Sequence, residues 1–317
     1  MQKKVENMVF AAILAVFLLY FLLNYNLPEA INDMRRINID YLPYIILTWI
    51  AFTSVKFLPW ELALKKVKIK LPLTKSFLMM YAFFGIGMGS AGIGQLIPLQ
   101  DLDKFKKNAR FFSFSIMIFL GITGGMGAII LALASSILLS KFAVYLLFVF
   151  AATYIFTTLL GFDGLYKKLN AFLKKHKMLK KSNVVKSALK HLEGMRKQRG
   201  LMAQRYFLLG TFLFMPSLVL ESLLLVFILA SFNVSISLLA AVFIFTVSVI
   251  VGGVSMMPAG MGAEDISLIA LMVLFNVPGV LAITALIIFR FLNTFIVTIA
   301  GYSTMAIFKL DKTRRKL

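Results

Sequence analysis

The sequence has no cysteine, which excludes disulfides and thiolate metal sites. It has only two histidines, His176 and His191, and their spacing fits no zinc pattern. Both fall in one basic stretch, so a serine hydrolase would lack its base. Acids are scarce: 13 Asp and Glu stand against 34 Lys and Arg, a formal net charge of +21. Long polar segments are scarce too, and residues 162–205 are the one extended example. Hydrophobicity is what the chain has in excess. Of 317 residues 60% are hydrophobic, with a mean hydropathy of +0.90. Soluble domains reach only about 45–50% apolar content. Several apolar runs attain the roughly 20 residues that a bilayer-crossing helix needs. The expected fold is all-α: one polytopic, helical integral membrane domain over residues 1–317.

So basic a chain invites a nucleic-acid reading. That reading fails, because the basic residues flank apolar spans. The enrichment of cytoplasmic loops in Lys and Arg accounts for most of them. Lys3-Lys4 before the apolar run 8–25 resembles a signal-peptide start. The run is long for one and no small-x-small cleavage site follows, so an uncleaved first span is the better reading.

Full spans are expected near 8–25, 41–64, 111–139, 142–161, 206–232 and 280–308. Two apolar segments, 74–98 and 237–275, are interrupted by glycine and proline. Basic flanks place both ends of 74–98 inside, so it reads as a re-entrant hairpin turning near residues 87–92. The other reading is one glycine-rich crossing helix. Counting faces makes 237–275 a second re-entrant element, entering from outside. Its first part, 237–257, is also long enough to cross fully. The plan is then six spans and two broken elements in an inverted repeat, with halves 8–139 and 142–308. Many transporters use this arrangement, with discontinuous segments meeting near the midplane. Both termini are expected to be cytoplasmic, in a multi-pass cell-membrane protein.

The loop 162–205 carries thirteen Lys or Arg and two acids. Apolar residues recur there at helical spacing: Leu165, Leu169, Phe172, then Val185, Leu189, Leu192. Either amphipathic helices lie on anionic inner-leaflet lipid, or this is a solvated topogenic loop.

The run Gly252-Gly253-Val254-Ser255-Met256-Met257-Pro258-Ala259-Gly260-Met261-Gly262-Ala263-Glu264-Asp265 stands where a membrane helix would want leucine. Broken backbone at membrane depth survives only where protein buries it or it lines a wet cavity. Intramembrane acids are costly and mark pathways or binding sites. Glu221, Glu264, Asp265 and Arg290 are the charges expected at depth. They bind a headgroup or relay protons, or Arg290 merely ties the broken segment to a neighbour. Lys56, nearer the inner end of its span, can snorkel to the interface and carries little functional weight. The glycines from Gly85 to Gly94 either free backbone for a ligand or permit close helix packing. Asp101 and Asp103 have the spacing of a metal–diphosphate site, but Lys104, Lys106 and Lys107 beside them favour a charge-balanced loop.

From Gly252 to Gly301 the chain resembles the lysylphosphatidylglycerol synthase/flippase transmembrane family. The matching residues are Ser255, Pro258, Gly260, Gly262, Asp265, Arg290 and Gly301, with Glu221 suiting the family's earlier acid. Ala259 stands where a paired glycine is usual, and the acid is doubled as Glu264-Asp265. In the first half Gln95 replaces the family's acid, and Pro98 falls at its arginine. The family's soluble aminoacyl-transferring domain has no counterpart in this sequence. The resemblance implies translocation of a polar-headed lipid or lipid-linked intermediate, not lipid synthesis. The expected substrate-binding residues are Arg290, Asp265, Glu264, Glu221, Ser255, Gly260, Gly262 and Gln95. No cofactor or metal is expected, and membrane lipids are the expected partners. Two alternatives are a membrane enzyme acting on a lipid or glycosyl carrier at Asp101/Asp103, and a non-catalytic scaffold working through the basic loop.

Overall fold

The computed structural model describes residues 35–88, 109–139, 204–255 and 262–314. The expected spans 8–25 and 142–161, the basic loop through residue 203 with both histidines, Gln95, Asp101, Asp103 and Gly260 lie outside the described residues. Among the described residues every regular element is helical. They are α1 (Leu42–Val55), α2 (Phe57–Lys66), α3 (Leu73–Met88), α4 (Ala109–Leu139), α5 (Gln204–Ala230), α6 (Leu238–Ser255), α7 (Ala263–Leu274), α8 (Gly279–Arg290) and α9 (Val297–Arg314). A 3-10 turn, Ile39–Tyr41, precedes α1, and a π-helical segment, Phe291–Ile296, joins α8 to α9.

Four stretches are long and apolar enough to cross a bilayer: Ile39–Lys66, Phe119–Leu139, Tyr206–Ala230 and Gly279–Ala306. They fall on four of the six expected spans. The chain is a helical, multi-pass membrane protein.

The first of these stretches is bent. Pro59 has no N–H to offer the carbonyl one turn back, at Val55, and its ring crowds that carbonyl. The helix breaks there, leaving Lys56 as the corner between α1 and α2. Three other helix ends share one device. Lys68, Asn233 and Asn276 adopt left-handed φ of 57°, 59° and 63°. The next N–H then reaches back to a carbonyl of the last turn: Ile69 to Leu64 at 3.0 Å, Val234 to Leu229 at 3.1 Å, Val277 to Met272 at 3.0 Å. These are Schellman-type stops, and Pro278 adds a barrier to continuation after α7.

α6 and α7 form an antiparallel hairpin. At one end the Phe243 and Phe275 rings lie 6.0 Å apart. At the other, a Cβ added to Gly252 would sit 2.8 Å from Glu264 Cβ. The chain therefore enters and leaves the hairpin at the same end. With 12 residues α7 is about 18 Å long, short of the roughly 30 Å hydrocarbon core.

α1 packs on α5, α6 on α4, and α3 on α9. The last pair meets at glycines. A Cβ on Gly301 would lie 3.0 Å from Gly85 Cα, and one on Gly85 would overlap the Val297 carbonyl. For Gly85, close packing is thus the role found. Thr298 Oγ1 adds a bond to the Gly85 carbonyl at 3.3 Å. In lipid there is no apolar driving force between helices, so such close approach, with its dispersion contacts, is what holds them together. Two packed clusters result. One joins α1, α5, α6, α7 and α8 through Phe52, Leu225, Phe245, Leu268 and Phe289. The other joins α2, α3 and α4 through Trp60, Met79, Phe83, Ile116 and Phe119.

Candidate functional site

Arg290 closes the 12-residue α8, which opens the span Gly279–Ala306. At 1.5 Å per residue it stands about 17 Å from the start of that span, well inside it. The N-terminus of α7 is brought beside it. Gly262, with φ of 89°, caps α7 in a conformation that L side chains rarely adopt. This turn aims the Gly262 N–H at Asp265 Oδ2, 3.0 Å away. Asp265 Oδ1 accepts from Arg290 Nε at 2.7 Å and lies 2.6 Å from Nη2. Asp265 is thus filled on both oxygens, and it is buried. Glu264 meets Arg290 more loosely, by one contact of 3.2 Å to Nη2. Room for its side chain exists because Gly252 on α6 has none.

A second ion pair stands across from the first. Lys56 Nζ lies 2.7 Å from Glu221 Oε1, with side chains only 13% and 8% exposed. The ammonium also lies 4.8 Å from the Phe52 ring centroid and 5.9 Å from that of Phe84. The expectation that Lys56 snorkels to the interface is therefore corrected. The bend before Pro59 presents Lys56 to α5, and a carboxylate there gives it a partner within the protein.

Between the two pairs lies a cavity of about 280 Å³. Lys56, Glu221, Glu264, Arg290, Asn293 and Thr294 supply its polar wall, and Phe84, Phe214, Leu218, Phe245 and Phe289 part of its apolar wall. Gly121, Gly124 and Gly125 on α4 line it as well. Asp265 is not in the lining; it stands behind Arg290 and fixes the guanidinium. The size is near the lower end for small-ligand pockets, about 300 Å³.

Asn293 and Thr294 belong to the π-helical segment. Among the described residues, Asn293 Nδ2 and Oδ1 and Thr294 Oγ1 have no hydrogen-bond partner, and all three atoms are buried. π-helical turns are rare and concentrate at functional sites. Trp49 Nε1 donates to the Leu292 carbonyl in the same segment at 3.1 Å, tying it to α1.

Of the expected site residues, the fold gathers Arg290, Glu264 and Glu221 around the cavity, with Asp265 and Gly262 just behind. Ser255 ends α6, and its side chain lies outside the described residues, as do Gly260 and Gln95. Sequence reasoning set Lys56 aside and missed Asn293 and Thr294. The available signal was polarity: Asn293 and Thr294 are polar residues close after Arg290 in an otherwise apolar run.

Residues 8–301 match the family described as the lysylphosphatidylglycerol synthase TM region. A UPF0104 membrane protein of Methanothermobacter thermautotrophicus is 35% identical over 85 residues, 27% of this chain. That match spans only 25% of the relative's length.

Proposed function

This chain belongs to the lysylphosphatidylglycerol synthase transmembrane-region family, and from that premise we propose that it moves a polar-headed lipid or lipid-linked intermediate between leaflets. The observation that carries the reading is a cavity walled by two ion pairs, Lys56–Glu221 and Arg290–Glu264, among helices apolar enough to cross a bilayer. A bilayer core offers nothing to such groups, so a polar pathway is the usual reason for keeping them there. The two acids on Arg290 have different parts. Asp265, held by Gly262 and by two guanidinium nitrogens, keeps Arg290 aimed. Glu264, with its single longer contact, is the partner that a lipid phosphate displaces. Glu264 then serves a cationic or hydroxylated part of the headgroup.

The wider architecture in this proposal is an inverted repeat with two re-entrant elements. The packing supports it. α3 of the first half packs on α9 of the second, and α6 of the second packs on α4 of the first. The corresponding second spans, α1–α2 and α5, pack on each other. A two-fold axis in the membrane plane would exchange these pairs. Lys56 and Glu221 sit the same number of residues after Tyr41 and Tyr206, near the starts of their spans, as partners astride such an axis do.

The direct test is leaflet exchange of a head-labelled lipid in proteoliposomes, read by a membrane-impermeant quencher. Exchange faster than in empty vesicles, and lost in Arg290→Ala, is the expected result. Rates equal to empty vesicles across anionic, zwitterionic and glycosyl lipids would end the proposal. For the topology, single cysteines at Asn233 and Asn276 are expected to label from one shared face.

A further inference from the structure

Among the described residues, five charged side chains gather at the cavity. Lys56, Glu221, Glu264 and Arg290 stand in its wall, and Asp265 stands behind Arg290. Three are acids and two are bases, so the cluster carries one negative charge too many when all are ionised. The other elements in the wall leave that surplus uncorrected. α6 meets Glu264 at Gly252 and lines the cavity with Phe245 and Val249, while α4 lines it with Met117, Leu120 and glycines. The three acids are not equivalent. Asp265 is held by two guanidinium nitrogens and by the Gly262 N–H, and it does not line the cavity. Glu221 has an ammonium at 2.7 Å. Glu264 has one ion-pair contact, at 3.2 Å to Arg290 Nη2, and it stands where an entering group can reach it. Its side chain is only 13% exposed.

We infer that binding of a monoanion at Arg290 takes up one proton, that Glu264 carries this proton, and that proton and anion move together. This rests on reading Arg290 as the phosphate contact. A monoanionic phosphodiester that displaces Glu264 raises the surplus to two negative charges inside one apolar enclosure. Close like charges out of water repel strongly, and a carboxylate relieves the repulsion by accepting a proton. The step balances. A proton from water forms an O–H bond on Glu264, the contact from Oε1 to Arg290 Nη2 breaks, and a phosphate oxygen takes its place on the guanidinium. The carboxylic acid so formed is neutral and has a hydrogen to donate, so it can stay beside the anion. On release the O–H bond breaks, the proton returns to water, and Glu264 rejoins Arg290. Intramembrane acids carry protons in pumps and transporters. Glu264 is the acid chosen here because it is both loosely paired and in the wall. A headgroup with its own fixed positive charge supplies what the cluster lacks and needs no proton.

The experiment uses the full chain in detergent, with titration calorimetry in two buffers of different ionisation enthalpy and empty micelles subtracted. The difference in heat between the buffers counts the protons taken up on binding. Dioctanoyl phosphatidylmethanol is the anionic probe, since it has no group that titrates near neutrality. Dioctanoyl phosphatidylcholine is the probe with a fixed positive charge. Uptake approaching one proton per phosphatidylmethanol, and none with phosphatidylcholine, is the expected result. The complex holds more protons than the free protein, so affinity for phosphatidylmethanol should weaken by up to about tenfold for each unit of rising pH. Glu264→Gln has no carboxylate to protonate and is expected to bind phosphatidylmethanol with no uptake and a flat pH profile. No uptake by the unaltered protein, uptake that persists in Glu264→Gln, or equal uptake with both lipids would each overturn the inference. Binding without uptake leaves the lipid proposal standing, whereas binding of neither lipid removes that proposal and this inference with it. In proteoliposomes, a pH gradient with acid outside is expected to drive labelled phosphatidylmethanol inward, and a voltage alone is not, because proton and monoanion together carry no net charge. The opposite pattern would overturn their joint movement.

Discussion

Lys56 and Glu221 meet at 2.7 Å across two helices that are 165 residues apart in sequence. Both side chains are largely withdrawn from solvent. Each therefore depends on the other, and the dependence can be measured. Glu221→Ala leaves an uncompensated ammonium and is expected to destabilise by about 3–5 kcal/mol. Lys56→Met alone is expected to behave similarly. The combination Lys56→Met with Glu221→Leu is expected to recover most of that loss, because no charge remains. Thermal melts of the purified protein in detergent decide this; a double variant as weak as the sum of the singles would refute the pairing.

The two acids on α7 are expected to separate by phenotype. Asp265→Asn weakens two guanidinium contacts and the helix cap, so its main effect falls on folding, at about 3 kcal/mol or more. Glu264→Gln removes one 3.2 Å contact and leaves the cap intact. Its melting point should shift little, while leaflet exchange falls at least about tenfold, the size of one lost charge-assisted bond in a transport step. Parallel melts and exchange assays test the split. Equal melting shifts in the two variants would remove the distinct roles assigned here.

Glycines make a paired test of packing against open space. Gly85→Ala would drive a methyl into the α9 backbone, so a loss of about 1–3 kcal/mol is expected. Gly125→Ala meets nothing within 4 Å. It is expected to be neutral or to gain up to about 1 kcal/mol from helix propensity. Gly125→Leu would point a larger group into the cavity and should slow exchange with the fold retained. Melting curves that rank Gly85→Ala with Gly125→Ala would contradict the close crossing of α3 and α9.

Gly262 offers a purely backbone test. Its φ of 89° resists any Cβ, so Gly262→Ala is expected to destabilise by about 1–2 kcal/mol. Because Asp265 leans on this turn, exchange should fall along with stability. An unchanged melting point would show that the turn relaxes freely.

Much of this was legible before any coordinates. Apolar runs gave four of the described spans, since a bilayer demands a fixed helix length. Arg290 and Asp265 stood out because charge at depth is expensive, and the motif placed them together. The hairpin of α6 and α7 was readable from glycine, proline and face counting; its antiparallel course agrees, while its membrane placement belongs to the proposal above. Lys56 was misjudged because distance from a span end says nothing about a bend, and the bend came from Pro59, three residues on. Asn293 and Thr294 were overlooked because a π-helical turn leaves no periodic trace in an apolar run. Gly85 could not be assigned from sequence, as both of its roles need a small residue and only the neighbour distinguishes them.

The widened turn at Phe291–Ile296 also changes what one rod can do. A uniform α-helix carries a single stripe of contacts, rotating a fixed amount at each residue. Slower winding over six residues puts α8 and α9 out of phase. The first can then mesh with α5 and α7 while the second meshes with α3. One continuous strut thus couples two neighbours that would otherwise compete for the same edge. Any slippage of that phase would turn Arg290 relative to the glycine seam below it, like a key whose teeth and handle twist apart.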